Sequence, residues 1–127
     1  MSLGILVVED DTDARETLVL LLRALGHRAE GCADVASARS ALSARTFDLA
    51  LIDYTLPDGN GAEVARSARA IERSPRPYVV GLTGWAASQM EEGERACFDR
   101  VAQKPIRSEQ LKELIREATA RREPGPP

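Results

Sequence analysis

The length, composition and charge of the chain exclude several classes of protein. Its 127 residues, 43% of them hydrophobic and 29% charged, suffice for one globular domain but not for two. A net charge of −3 argues against a nucleic-acid-binding surface, because such surfaces concentrate Lys and Arg. No apolar run approaches the roughly 20 residues of a membrane-spanning helix, and the start of the chain lacks the basic segment of a secretory signal. We therefore expect a cytoplasmic protein that contacts neither nucleic acid nor membrane directly.

Five apolar segments, each followed by a helical pattern, indicate alternating strands and helices. In chain order they cover residues 5–8, 28–32, 49–52, 78–82 and 98–103, of which the second and fifth are weaker. The clear segments are continuously apolar, which is typical of strands that are covered on both faces. The pattern predicts an α/β protein of the (βα)5 type, with a five-stranded parallel sheet and helices on both of its faces.

The helices between these strands are predicted to be amphipathic. One face of the first helix contains Ala14, Leu18, Leu21, Leu22 and Leu25. Thr12 or Asp13 can cap this helix at its start, and Gly26 can end it. Asp34 and Ser108 can cap two later helices.

One domain is expected over residues 1–120, because neither an internal repeat nor an interdomain linker is visible. Residues 121–127 contain three prolines and a glycine, which indicates a disordered tail or the start of a linker. Cys32 and Cys97 form no CxxC pair and are expected to be small core residues. The single histidine, His27, has no acidic partner in the sequence and is given no function.

Polar residues come directly after four of the five predicted strands. They are Glu9 and Asp10 after the first, Asp53 after the third, Thr83 after the fourth and Lys104 after the fifth. Taken singly, each has a structural explanation as a helix-start acid, a turn residue or a solvated lysine. The carboxyl ends of parallel strands, however, lie at the same edge of a sheet, where ligands bind. The joint placement therefore predicts one shallow pocket.

The chemistry of this pocket favours a cation and a phosphoryl group. Glu9, Asp10 and Asp53 carry three negative charges, and Lys104 with one divalent cation would neutralise them. Oxygen ligands select a hard ion such as Mg2+, which keeps room in its coordination shell for a phosphate oxygen. Asp53 could act as the nucleophile, with Lys104 and the Thr83 hydroxyl as fixed donors to the phosphoryl oxygens.

Four short motifs surround these residues in a specific order and spacing. They are Val7-Val8-Glu9-Asp10-Asp11, Asp53-Tyr54-Thr55-Leu56-Pro57-Asp58-Gly59-Asn60-Gly61, Leu82-Thr83-Gly84 and Lys104-Pro105-Ile106. Together they resemble the response-regulator receiver domain (CheY-like) of two-component signalling, over roughly residues 4–120. The stretches at residues 82–85 and 98–99 look more like receivers of hybrid sensor kinases than those of DNA-binding regulators, although a stand-alone regulator stays open.

This resemblance implies a doubly wound, flavodoxin-like fold with strand order 2-1-3-4-5, and a role in a phosphorelay. A histidine kinase or histidine phosphotransfer protein would donate the phosphoryl group, and a downstream effector or a covalently linked domain would respond. Asp53 would be the phosphoacceptor, Thr83 the switch hydroxyl and Lys104 the phosphate-binding residue. Such a domain catalyses only its own phosphorylation and dephosphorylation, and so is not an enzyme with an independent substrate.

The resemblance also implies a set of metal ligands for Mg2+ or Mn2+. Asp10 and Asp53 would bind the ion directly, Glu9 through water and Thr55 through its backbone carbonyl. In this family the peptide bond before Pro105 is typically cis.

The chain departs from the family pattern at Val101. Many receivers have there a Tyr or Phe that turns inward as the threonine hydroxyl engages phosphate. We therefore expect the response to phosphorylation to rest on the backbone near Thr83 and on the helix over residues 86–97. That helix has few apolar anchors and is predicted to pack most loosely. Trp85, just before it, is expected to be a half-exposed surface residue.

Two other functions remain open at this stage. One is a Mg2+-dependent phosphatase with an aspartyl-phosphate intermediate, although Tyr54 and Thr55 supply no second carboxylate after the nucleophile. The other is an interaction module that keeps the fold without being phosphorylated. A nucleotide-binding domain is disfavoured because neither GxGxxG nor a P-loop is present.

Overall fold

The chain forms a parallel sheet with helices on both faces. The structure is a computed structural model that describes residues 2–71, 76–84 and 90–122. The elements are β1 (Gly4–Val8), α1 (Thr12–Ala24), β2 (Arg28–Cys32), α2 (Val35–Ala44), β3 (Leu49–Asp53), β4 (Thr55–Leu56), β5 (Gly59–Asn60), α3 (Gly61–Arg69), β6 (Tyr78–Thr83), α4 (Glu92–Arg95), β7 (Arg100–Gln103) and α5 (Ser108–Arg122).

The sheet confirms the predicted topology. Its five strands are parallel and lie in the order β2-β1-β3-β6-β7, which is the order 2-1-3-4-5 when the sheet strands are counted alone. The short strands β4 and β5, which the sequence analysis did not predict, form a separate antiparallel hairpin directly after β3. Within the described part of the chain, none of the helices combines the length and apolar character needed to cross a bilayer.

Successive residues of the central strands face two separate cores, which explains their continuous apolar sequences. The core under α2 and α3 includes Leu6, Val8, Ala50, Ile52 and Val79. The core under α1 and α5 includes Ile5, Val7, Leu49, Leu51 and Val80. All ten side chains have no exposed surface, and burial of one Val, Leu or Ile side chain stabilises a fold by about 1.5–3 kcal/mol.

The buried face of α1 differs from the predicted one. Leu22 is fully buried and Leu18 is half-buried, as expected, but Leu21 and Leu25 are 37% and 39% exposed. Ala14 is exposed as well. Val19 is buried instead, because α1 packs beside Gly31 of β2, where a Cβ would lie 3.3 Å from the Val19 side chain. Because Gly31 of β2 has no side chain, α1 can bury Val19 against this position.

The start of α1 also differs by one residue from the prediction. Asp11, not Thr12 or Asp13, is the N-cap, and its carboxylate accepts a 2.8 Å hydrogen bond from the backbone N–H of Ala14. Gly26 ends the helix as predicted, with a φ of 94° that favours glycine.

The start of α2 has two acidic caps. Asp34, the predicted N-cap, accepts a 2.8 Å hydrogen bond from the N–H of Ser37. Asp58, in the turn between β4 and β5, accepts hydrogen bonds from Val35 N at 2.8 Å and Ala36 N at 3.1 Å. A residue far along the chain therefore satisfies two of the free N–H groups at this helix start.

The boundaries of two elements near the end of the chain, β7 and α5, differ from the predicted ones. β7 begins at Arg100 rather than at residue 98, and the Phe98 side chain before it is buried in the core over Gly81, where a Cβ would lie 2.9 Å from its ring. α5 begins at Ser108, so this residue lies inside the helix rather than before it as the predicted cap, and the helix extends through Arg122 into the predicted tail. Residues 123–127 lie outside the described residues, so the division at residue 120 stays a prediction.

The predicted loose helix is described only in part. Trp85 and residues 86–89 lie outside the described residues, so their predicted exposure and packing stay predictions. The described helix there is α4, which has four residues, none of them buried.

His27 has a structural role. Its Nδ1 accepts a 3.0 Å hydrogen bond from the backbone N–H of Leu3, at the start of β1. Burial, assisted by the positive chain terminus, lowers the pKa of His27 below its ordinary value. The folded state therefore favours the neutral imidazole, which alone can accept this bond.

The remote cap predicts the effect of changing Asp58. Replacement by alanine removes both hydrogen bonds to the start of α2, and we expect Asp58→Ala to lower the free energy of unfolding by about 1 kcal/mol. Urea denaturation followed by circular dichroism measures this loss. Asp58→Asn keeps one acceptor oxygen and should lose less. Equal stability of Asp58→Ala and the native protein would contradict the assignment.

The His27 contact predicts a dependence of stability on pH. Because the pKa is lower in the folded state, the unfolded chain binds the proton first, and stability falls as the pH drops below about 6.5. His27→Gln retains an acceptor oxygen but does not titrate. We therefore expect the stability of the native protein, relative to this variant, to fall between pH 7.5 and pH 5 in urea denaturation. Parallel pH profiles for the two proteins would exclude this role.

Candidate functional site

The candidate residues lie at the carboxyl edge of the sheet. Glu9 directly follows β1, Asp53 and Thr83 end β3 and β6, and Lys104 directly follows β7. The strand register aligns these ends, since Val8 pairs with Ile52 and Thr83 pairs with Gln103. The structure thus brings together residues separated by up to 95 positions.

Three carboxylates form a cluster at this edge. Glu9, Asp10 and Asp53 each have an oxygen atom within 4.8 Å of the other two. Glu9 and Asp53 are buried, with 4% and 7% of their surface exposed, whereas Asp10 is exposed. Carboxylate oxygens that converge with one side open to solvent fit a hard divalent cation that retains water ligands. The donor set is therefore suited to Mg2+.

Lys104 pairs with both buried carboxylates of the cluster. Its Nζ lies 2.7 Å from Glu9 Oε1 and 3.1 Å from Asp53 Oδ2. Burial lowers the pKa of Lys104, but the hydrogen bonds and charges of Glu9 and Asp53 outweigh it and raise the pKa above its ordinary value. The ammonium group is therefore charged throughout the physiological range.

Backbone groups fix the remaining oxygens of the two buried acids. The N–H of Asp11 donates to Glu9 Oε2 at 3.2 Å, and the N–H of Thr55 donates to Asp53 Oδ1 at 3.3 Å. Each of the four oxygens of Glu9 and Asp53 thus accepts a bond from within the chain. Since a carboxylate oxygen can accept more than one bond, each retains capacity for a further ligand.

Thr83 and Thr55 lie beside the cluster. Thr83 is 1% exposed, and its carbonyl accepts a 2.7 Å hydrogen bond from the N–H of Lys104, so the two candidate donors are connected through the backbone. Thr55 is exposed, two residues after Asp53. The peptide bond between Lys104 and Pro105 is cis, as the resemblance implied.

Sequence reasoning missed Arg15, which supports Glu9. Its Nη1 donates a 2.9 Å hydrogen bond to the backbone carbonyl of Glu9. The Arg15 stem lies against Gly31, where a Cβ would be 3.0 Å from its Cγ and Cδ. No sequence pattern predicts a contact between a helix residue and a glycine of the adjacent strand.

The loop after Asp53 is fixed by the start of α3. Asn60 and Glu63 form a capping box, a pattern that the sequence Asn-Gly-Ala-Glu already indicates. Gly61 lies so close to the end of β3 that a Cβ would be 2.5 Å from the carbonyl oxygen of Asp53. A side chain at position 61 would therefore displace the backbone of Asp53.

Tyr54, directly after Asp53, was not identified as important from the sequence. Its hydroxyl donates to Glu94 Oε1 of α4. This hydrogen bond, followed by burial and the negative charge of Glu94, raises the pKa of Tyr54 to about 12. The hydroxyl therefore keeps its proton and stays a donor.

Comparison with known proteins points to the same family as the sequence motifs. The family model of the response regulator receiver domain matches residues 5–116. The response regulator receiver protein CpdR of Brucella abortus is 35% identical over 114 residues, which are 89% of this chain and 91% of CpdR. The sensor histidine kinase AtsR of Burkholderia thailandensis is 33% identical over 113 residues, which are 87% of this chain but 19% of AtsR.

A solved structure shows the same fold. The response regulator receiver domain (CheY-like) from Methylobacillus flagellatus matches with a TM-score of 0.84 and 28% identity, covering 93% of this chain and 99% of that domain. The chain therefore corresponds to nearly the whole of some relatives and, in AtsR, to about a fifth of the protein.

The contacts of Lys104 predict that it competes with a metal ion. A cation that binds Glu9 and Asp53 must share them with the ammonium group. We expect Lys104→Met to bind Mg2+ several-fold more tightly, which corresponds to about 1 kcal/mol, in isothermal titration calorimetry. Lys112→Met is the matched control, because Lys112 is the other lysine of the chain and lies on α5. Weaker Mg2+ binding by Lys104→Met would contradict the competition.

Proposed function

Because the chain belongs to the response-regulator receiver family, we propose that Asp53 is the phosphoacceptor through which it serves a two-component phosphorelay. The observation that carries this proposal is the meeting of Asp53 with Glu9, Asp10 and Lys104 at one sheet edge. Asp53 lies at the end of a buried strand with its carboxylate oriented by Thr55 N and Lys104. A nucleophile held in this way is positioned before the donor arrives.

The proposed cation is Mg2+, with Mn2+ as the alternative. Asp10 and Asp53 would bind it directly, Glu9 through water and Thr55 through its carbonyl. The hard oxygen donors and the exposure of Asp10 support this ligand set. When bound, the cation neutralises the oxygens of the transferring phosphoryl group.

The residues of the chain divide the chemistry between them. One oxygen of Asp53 attacks phosphorus, forming an acyl phosphate as the bond from phosphorus to the donor nitrogen breaks. Lys104, charged because of its raised pKa, donates to one phosphoryl oxygen, and the Thr83 hydroxyl donates to another. Hydrolysis of the acyl phosphate restores the carboxylate. The chain thus turns over no substrate apart from its own phosphoryl group.

A histidine kinase or histidine phosphotransfer protein is the proposed donor, and an effector or linked domain the proposed recipient of the signal. Leu18 and Leu21 of α1, together with Pro105 and Ile106, line an apolar groove that extends to Lys104. A protein donor could cover this groove while its phosphohistidine reaches Asp53. The reaction would take place in the cytoplasm, where ATP-dependent kinases act.

The test is phosphorylation by acetyl phosphate with Mg2+, followed by intact-protein mass spectrometry. We expect the native protein to gain the mass of one phosphoryl group, and to lose it on treatment with hydroxylamine, which cleaves acyl phosphates. Asp53→Asn should gain none, and EDTA should prevent labelling of the native protein. Asp13→Asn, which removes an equal charge from the first turn of α1, should be labelled normally.

The stability of Asp53→Asn shows whether the variant has lost only the acceptor carboxylate or has also lost the fold. Asp53→Asn removes a carboxylate that both repels Glu9 and pairs with Lys104, so its free energy of unfolding should stay within about 1 kcal/mol of the native value. A folded Asp53→Asn protein that is still labelled would show that the acceptor is another residue.

A further inference from the structure

Glu94 of α4 joins the two ends of the hairpin that follows Asp53. Its Oε1 accepts a hydrogen bond from the Tyr54 hydroxyl, and its Oε2 accepts one of 2.9 Å from Asn60 Nδ2. Tyr54 immediately precedes β4, and Asn60 ends β5. A single carboxylate therefore spans the entry and the exit of the hairpin β4–β5.

Tyr54 connects this carboxylate to the rest of the site. Its N–H donates to the carbonyl of Leu82 in β6 at 2.8 Å, and its carbonyl accepts from the N–H of Gly61 in α3 at 2.6 Å. Tyr54, the residue that follows Asp53 in the chain, is thus held to the sheet and to α3 by its backbone, and to α4 by its side chain. A displacement of α4 therefore acts directly on the residue beside the acceptor.

The described part of α4 has few other attachments. Its four residues include none that is buried, and the N-cap residue Glu91 makes no side-chain capping bond. Met90 and Phe98, which flank it, are 6% and 4% exposed and belong to the core. Glu94 provides two hydrogen bonds between α4 and the residues at the ends of the hairpin. A helix attached in this way can change its order without disturbing the core.

We propose that Glu94 is a positioning residue whose hydrogen bonds to Tyr54 and Asn60 couple the order of α4 to occupancy of the acidic pocket. The inference rests on the proposed function, since the occupant is the phosphoryl group of Asp53. Val101 is half-buried at the position where an inward-turning aromatic side chain would provide another way to couple the pocket to the rest of the domain. In this chain the route is polar, from Asp53 through Tyr54 to Glu94.

Thermodynamic linkage makes this coupling reciprocal. If occupancy changes the order of α4, then loosening α4 must change the affinity for the occupant by the same factor. Tyr54→Phe removes the hydroxyl, and with it the hydrogen bond to Glu94, without altering the ring. Tyr78→Phe is the matched control, because the other tyrosine of the chain also donates to a glutamate, Glu117 of α5, away from the hairpin.

The experiment is amide hydrogen exchange with and without Mg2+ and beryllofluoride, a phosphoryl mimic. Binding of the mimic is measured separately by calorimetry. In the native protein and in Tyr78→Phe we expect the mimic to change the exchange rate of the α4 peptide several-fold. In Tyr54→Phe we expect α4 to exchange faster without the mimic, and its response to the mimic to fall by more than half.

The outcomes distinguish failure of the proposed coupling from failure of the proposed function. Tyr54→Phe that binds the mimic and retains the full α4 response would overturn the coupling and leave the proposed function intact. A native protein that does not bind the mimic would overturn the proposed function and the coupling together. Glu94→Gln, compared with Glu92→Gln in the same helix, should reproduce the effect of Tyr54→Phe. The double variant Tyr54→Phe/Glu94→Gln should lose little more than either single variant.

Discussion

The site depends on the electrostatic balance between Lys104 and the carboxylates that surround it. Glu9 and Asp53 are almost completely buried, and two buried acids so close together would be costly without a compensating charge. Lys104, which directly follows β7, supplies that charge with one hydrogen bond to each. The same contacts hold Asp53 in place and keep Lys104 protonated, so folding and the chemistry of the pocket share one set of interactions.

Much of the architecture could be predicted from the sequence because it follows from burial. A strand covered on both faces must be apolar along its length, and such strands separated by amphipathic helices form a parallel sheet. The convergence of Glu9, Asp10, Asp53 and Lys104 follows in turn, since each lies at the carboxyl end of a strand. The position of these residues was therefore available from topology, without knowledge of any side-chain contact.

The remaining features could not be predicted because they join elements that are distant in the sequence. The buried stripe of α1 includes Val19 since its neighbour in β2 is Gly31, and a helical pattern carries no information about that neighbour. Asp58 looks like an ordinary turn residue until it meets the start of α2. Glu94 is one of several acidic residues in a polar segment, and only the position of Tyr54 distinguishes it. Polar contacts between elements leave no periodic signal.

The cap that Asp58 provides extends the region over which substitutions can influence the loop that follows Asp53. The first turn of α2 bonds to the hairpin that begins two residues after Asp53. Fraying of that turn would remove two hydrogen bonds from Asp58 of the hairpin, whose two ends are joined by Glu94 of α4. A substitution in the first turn of α2, which is distant from Asp53 in the sequence, can therefore alter the loop that follows Asp53.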